Sequence, residues 1–213
     1  MENIEWIFFD IGNTLVNEDL AQRKRIDDLI SIQREMGNDL SFDDVYDKMA
    51  SASKSYSASP FYQALSDMGI EMNIEYPKEL EAPYEDALEV LMKLKSNYML
   101  GVIGNQSAGT LERLKKNGIF NLIDLCISSA EEELWKPDIR IYQLALDRAK
   151  CDAEKSVMIG DRLDNDIYPA KKLGMKTIWI RQGLGGVQEP RSKEFEADYV
   201  VSTLEELLPL FGI

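Results

Sequence analysis

IEWIFFDIGNTL, residues 4–15, decides how the chain begins to fold. The stretch 4–10 reads as a strand that ends in a carboxylate, Asp10, and Ile11-Gly12-Asn13-Thr14 follows as a turn. Outward from it, strand candidates run over 98–104 (YMLGVIG), 122–128 (LIDLCIS), 156–160 (SVMIG), 176–180 (KTIWI) and 198–201 (DYVV). All but 4–10 and 198–201 are near-continuous apolar runs, as strands covered on both faces require. Helical patterns fill 85–96, 108–117, 138–149, 165–173 and 203–210. The alternation predicts βαβ units, hence an α/β protein with a Rossmann-like, three-layer α/β/α core around a parallel sheet. Start signals accompany several helices: Ser107 before TLERL, Pro137 in a first-turn position, and Ser202 with Glu205 as a capping box.

Residues 16–82 interrupt this pattern with helical periodicity and no convincing buried strand. They read as an inserted helical module, which leaves 1–15 and 83–213 as the core. Ile26, Leu29, Ile30 and Ile32 fall near helical spacing, as do Val45, Tyr46 and Met49, and SASKSYSASP (51–60) ends at a proline. Met36, Met49, Met68 and Met72 read as core of the module.

Composition narrows the chemistry. The 213 residues carry 24 Lys+Arg against 38 Asp+Glu, a formal charge of −14, and no histidine. That excludes Ser/His/Asp and Cys/His relays and HExxH zinc sites. Carboxylates, hard ligands suited to Mg²⁺, Ca²⁺ or Mn²⁺, are left to do acid-base and metal work. Strong acidity argues against nucleic acid as a partner. Cys126 and Cys151 form no zinc spacing and read as reduced thiols. The N-terminal apolar run, broken by Glu5 and Asp10, fits neither a signal peptide nor a membrane span, so a cytoplasmic protein is expected.

In open parallel sheets ligands bind beyond the carboxyl ends of the strands, where four polar segments converge. They are Asp10 with its turn, Gly104-Asn105-Gln106, Lys136-Pro137, and Asp161 with Asp164 and Asp166 close behind. Taken singly, Asp10 and Asn13 pass as turn formers, Asp161 and Asn165 as helix caps, and Lys136 as a solvated lysine. Their recurrence at one end of successive strands marks a site.

FFDIGNTL (8–15), GVIGNQS (101–107), WKPD (135–138) and IGDRLDND (159–166) resemble, in order and interval, the four motifs of the haloacid dehalogenase superfamily. The insertion at 16–82 is similar to the helical C1 cap of its subfamily I. The resemblance implies Asp10 as a nucleophile that forms an aspartyl-phosphate. It implies Mg²⁺ held by Asp10, the Gly12 carbonyl, Asp161 and Asp166, with Asp164 as the lesser substitute. Lys136 would orient the nucleophile and, with Asn105 and Gln106, bind a small phosphorylated substrate.

Two positions depart from the family pattern. Gly12 stands where phosphatases of the superfamily carry the aspartate that protonates the leaving group and then activates water. General acid-base help of that kind is worth about 10² to 10⁴-fold. Gly104 stands where a Ser or Thr hydroxyl meets a phosphoryl oxygen, with Gln106 or Ser107 as replacement donors. The leading expectation is therefore a phosphatase whose rate depends on the leaving group. The alternative is a degenerate member that binds a phosphorylated ligand or a protein partner. Phosphonatases also lack the second aspartate but need a cap lysine, for which Lys24, Lys48 and Lys54 are candidates that read as solvated surface. Haloacid dehalogenases work without the metal, and Asp161 and Asp166 point away from them. The glycine-rich 181–190 (RQGLGGVQEP) reads as a flexible loop.

Overall fold

A computed structural model describes residues 1 and 3–213. Its strands are β1 (Trp6–Phe9), β2 (Val16–Asn17), β3 (Ala82–Pro83), β4 (Met99–Gly104), β5 (Leu125–Ser128), β6 (Ser156–Gly160), β7 (Lys176–Ile180) and β8 (Tyr199–Val201). The helices are α1 (Asp19–Glu35), α2 (Phe42–Lys54), α3 (Pro60–Asp67), α4 (Ala87–Lys95), α5 (Thr110–Lys116), α6 (Ser129–Glu132), α7 (Ile139–Ala149), α8 (Tyr168–Leu173) and α9 (Leu207–Leu210). Six strands form one parallel sheet in the order β5-β4-β1-β6-β7-β8.

Strand alternation explains the layers. Trp6 and Phe8 join Ile103, Ile127 and Met158 on one face, against Tyr142, Ala145 and Leu146 of α7. Ile7 and Phe9 join Val102, Ile159 and Ile178 on the other, against Val90, Leu91 and Leu94 of α4 and Leu207 of α9. Each fully buried side chain of this kind contributes about 1.5 to 3 kcal/mol. Both faces are thus covered, as the apolar runs require. Phe9 lies opposite Val102 on one side and Ile159 on the other, so β1, β4 and β6 end together and open one crevice.

Several helix starts differ from expectation because neighbouring residues cap in place of the expected ones, or tertiary contacts take the capping groups. The helix expected from 108 begins at Thr110, with Gly109 at its N-cap at φ 95°, and the Ser107 hydroxyl instead accepts from Lys78 Nζ. Pro137 lies ahead of the helix start, where Asp138 caps α7 by accepting from the Arg140 N–H at 2.9 Å. Only Leu207–Leu210 is helical at the C-terminus. There Glu206, not Glu205, reaches back to the Ser202 N–H, while the Glu205 N–H donates to Asp86. The run 165–173 opens as a π-turn, Leu163–Ile167, before α8.

Between β1 and β4, helices α1 to α3 build their own apolar cluster from Ile26, Leu29, Val45, Met49, Phe61 and Leu65. Ile32, Tyr46 and Met36 point outward instead, at 36%, 39% and 63% exposure. Gln33 takes the inward place after Leu29, one position off Ile32, and Val45 and Met49 already define the inner stripe of α2. A two-residue antiparallel ribbon, β2 with β3, closes the base of this segment and has no signature in the sequence pattern. The 181–190 segment is packed rather than loose. Gly185, Gly186 and Gln188 are buried, and Ser53 Oγ donates to the Leu184 carbonyl at 2.6 Å. Among the described residues no helix is long and apolar enough to cross a membrane.

Candidate active site

Asp10 follows β1 directly and Asp161 follows β6 directly, so the sheet register sets both carboxylates side by side. Asp166 joins them from the π-turn. Its Oδ2 accepts from the Arg162 N–H at 2.9 Å, and a Cβ on Gly160 would overlap its carboxyl group. One oxygen from each of Asp10, Asp161 and Asp166 lies within 4.8 Å of the others, and all three residues are buried. Lys136 Nζ bridges the cluster, at 2.5 Å from Asp10 Oδ1 and 2.6 Å from Asp166 Oδ1. Asn105 fixes that lysine from β4: its Nδ2 donates to the Lys136 carbonyl at 2.8 Å, and its Oδ1 accepts from the Lys136 N–H at 2.7 Å. Gly185 lies so close to the Asp161 carboxylate that any side chain there would displace it. Trp179 Nε1 donates to the Asp161 carbonyl at 2.6 Å and completes the support.

Asp10, Asn105, Lys136, Asp161, Asp166 and Gly185 line a cavity of about 290 Å³ between the strand ends and the helical segment. Burial works against the Lys136 ammonium, but the Asp10 and Asp166 carboxylates outweigh it and hold its pKa above the ordinary lysine value. Asp161 takes part in no ion pair among the described residues. Burial first, then the Asp166 and Asp10 charges, push its carboxyl well above the usual range, and Asp166 is raised mainly by burial. Three hard oxygen donors around one lysine lack positive charge, and a divalent cation of the Mg²⁺ type fits that donor set.

The same cavity contains a second acidic group. Glu18, at the N-cap of α1, accepts from Arg113 Nη2 at 3.0 Å and from Asn13 Nδ2 at 3.2 Å. Arg113 Nε also donates to Glu81 Oε2 at 2.7 Å, and its Nη1 donates to Gln106 Oε1. Burial pushes the Glu18 carboxyl up to about 7 against the pull of Arg113, with Glu81 and Asp10 adding to the rise.

The structure brings together Asp10, Gly12, Asn105, Gln106, Lys136, Asp161 and Asp166 around this cavity. Gln106 presents a side chain already engaged by Arg113, and its main-chain N–H donates to Ser129 Oγ at 2.9 Å. Ser107 lies outside the cavity lining. Asp164 pairs instead with Arg162 and accepts from Gln188 Nε2. Lys24, Lys48 and Lys54 are exposed, and among the described residues the only lysine lining the cavity is Lys136. Sequence reasoning missed Glu18 and Gln22. The one signal for Glu18 was an acidic residue six places beyond a glycine that lacks an expected carboxylate.

Over residues 7–180 the chain matches the family described as haloacid dehalogenase-like hydrolase. Glyceraldehyde 3-phosphate phosphatase of Pyrococcus furiosus is 29% identical, over 98% of this chain and 93% of that protein. Pyrophosphatase PpaX of Bacillus velezensis is also 29% identical, over 72% and 76%. The solved structure of a HAD phosphatase from Thermococcus onnurineus superimposes with a TM-score of 0.65 at 25% identity, over 98% of both chains. With its parallel sheet and that match over most of its length, this chain belongs to the haloacid dehalogenase-like hydrolase family.

Proposed function

We propose that the protein is a Mg²⁺-dependent phosphatase that acts on a small phosphorylated molecule through an aspartyl-phosphate at Asp10. Residues 16–82 serve as its cap, and 1–15 with 83–213 as its catalytic core. The observation that carries this reading is the Lys136 ammonium shared by Asp10 and Asp166, beside Asp161, at the floor of an open cavity. Lys136 engages Asp10 Oδ1 and leaves Oδ2 as the free nucleophilic oxygen. The same ammonium balances charge on the phosphoryl group. Asp10, the Gly12 carbonyl, Asp161 and Asp166 would hold the ion, which when bound supplies neutralisation of phosphoryl charge. Asn105 keeps Lys136 in place by pairing with both of its main-chain polar groups.

A site that only binds has little use for this arrangement, since burying three carboxylates against one lysine carries a desolvation penalty of several kcal/mol per ion, about 20 in the idealised limit. A phosphonatase needs a free amine in the cavity, and Lys136 is engaged by two carboxylates. The test is phosphate release from a panel that begins with glyceraldehyde 3-phosphate and pyrophosphate, the substrates named for two relatives. Release that requires Mg²⁺ and disappears in Asp10→Asn is expected. Release that survives excess chelator or Asp10→Asn overturns the reading.

A further inference from the structure

Gly12 leaves the protein without a leaving-group acid at the position where phosphatases of its superfamily carry one, yet the space a side chain would take there is filled. A Cβ on Gly12 would lie 2.9 Å from Glu18 Cδ and overlap Glu18 Oε1. The turn after β1 explains how a residue six places on returns to this spot. The Val16 N–H donates to the Ile11 carbonyl at 2.8 Å, the Asn13 N–H donates to the Val16 carbonyl at 2.7 Å, and Gly12 bridges Val16. The chain therefore doubles back and sets Glu18 over Gly12, where its carboxyl lines the same cavity as Asp10 and Lys136.

We propose that Glu18 is the catalytic carboxyl that protonates the leaving oxygen and then deprotonates the attacking water, in place of the side chain Gly12 lacks. This assignment rests on the aspartyl-phosphate reading above. The carboxyl group is held rather than free: Arg113 Nη2 binds Oε1, Asn13 Nδ2 binds Oε2, and Glu81 fixes Arg113 from behind. At 18% side-chain exposure it still faces the cavity. In the first half-reaction an Asp10 oxygen bonds to phosphorus as the bond from phosphorus to the leaving oxygen breaks. The Glu18 proton passes to that oxygen and the alcohol departs. In the second, Glu18 carboxylate takes a proton from water, and the water oxygen bonds to phosphorus as the aspartyl P–O bond breaks. That returns Asp10 as carboxylate, Glu18 protonated, and inorganic phosphate. Arg113 is a positioning residue in this scheme.

The experiment compares an alkyl phosphate with p-nitrophenyl phosphate in wild type, Glu18→Gln, Glu18→Ala and Glu18→Ala/Gly12→Asp, with acid quench to trap phosphoenzyme. In Glu18→Gln, turnover of the alkyl ester should fall about 10² to 10⁴-fold. The aryl ester, whose leaving group needs no proton, should give a burst of nitrophenol with phosphoenzyme accumulating. Restoring a carboxylate at position 12 once Glu18 is truncated should recover at least tenfold of the loss on the alkyl ester, and this double variant decides the matter if Glu18→Gln fails to fold. Equal losses on both esters with no trapped phosphoenzyme, or no recovery in the double variant, would overturn the assignment. Wild-type turnover left intact by Glu18→Gln overturns it alone, whereas wild type that forms no Asp10-dependent phosphoenzyme overturns the phosphatase reading and this one together.

Discussion

Two acidic clusters face one cavity and are built in different ways. Asp10, Asp161 and Asp166 sit at or just beyond strand ends, and share Lys136. Glu18 and Glu81 come from the two ends of the inserted segment and share Arg113 of α5. The first has more negative charge than its lysine can offset, and Asp161 has no ion pair of its own among the described residues. The second is closer to balance: one guanidinium, with its several donors in a fixed fork, engages two carboxylates and the Gln106 amide at once. The sheet-end cluster is thus left with negative charge that a cation would offset, and the Arg113 cluster ties the inserted segment to the core. Glu18 belongs to both, structurally to the Arg113 cluster and spatially to the cavity of Asp10.

The largest effect is expected at Asp10, the proposed nucleophile. Asp10→Asn keeps the volume of the side chain and the Lys136–Asp166 pair, so the fold should persist while turnover falls by about 10⁴-fold or more. Phosphate release and a melting curve on the same sample check both halves. Metal addition comes next. At a Mg²⁺ concentration 100 times its dissociation constant, binding only to the folded state adds about 2.7 kcal/mol. Wild type should melt several degrees higher with Mg²⁺ than with excess chelator. Asp161→Asn, which removes one of the three oxygen donors, should lose most of that shift. Arg113→Met tests the other cluster: it leaves Glu18 and Glu81 facing each other without their cation and should lower stability by about 3 kcal/mol in urea unfolding. Its Mg²⁺-dependent shift should be preserved, because the three aspartates are untouched. A shift lost in Arg113→Met would show that the two clusters act as one.

The same division separates what the sequence made legible from what it did not. β4, β6 and β7 are continuous apolar runs, so their burial on both faces is written in adjacent residues. Asp10 and Asp161 directly follow strands, and strand ends meet wherever the register brings them; Asp166 follows in the next turn and Lys136 in the loop between α6 and α7. Glu18 is placed by a turn that doubles back on itself, and Arg113 reaches it across 95 residues of chain, which no local pattern encodes. Ser107, Pro137 and Ser202 misled for the converse reason. Their capping chemistry is local, and the Lys78, Asp138 and Glu206 side chains satisfy those segments in other ways. The glycines at 185 and 186 look like slack in a sequence, but Gly185 is small because the Asp161 carboxylate lies against it.

The smallest effect concerns the tie between the helical segment and the fourth motif. Gln188 is 1% exposed. Its Oε1 accepts from the Leu163 N–H at 2.7 Å, and its Nε2 donates to the Ser53 carbonyl at 3.1 Å and to Asp164 Oδ1 at 3.0 Å. One amide thus connects α2 to the turn that carries Asp161 and Asp166, while Tyr56 and Arg191 reinforce the seam only from its exposed edge. Gln188→Ala leaves a buried N–H and carbonyl without partners, a loss of about 1 to 3 kcal/mol if the segment stays seated. Lifting the segment into water avoids most of that penalty, so the variant should populate an open form instead of unfolding. KM should rise severalfold with kcat held within about twofold, because the carboxylates and Lys136 are untouched and only the wall over the substrate is loosened. Proteolysis within residues 55–59 should accelerate in parallel. A fall in kcat at unchanged KM would mean instead that Gln188 acts through Leu163 on the placement of Asp161 and Asp166, and that the seam is part of the sheet-end cluster.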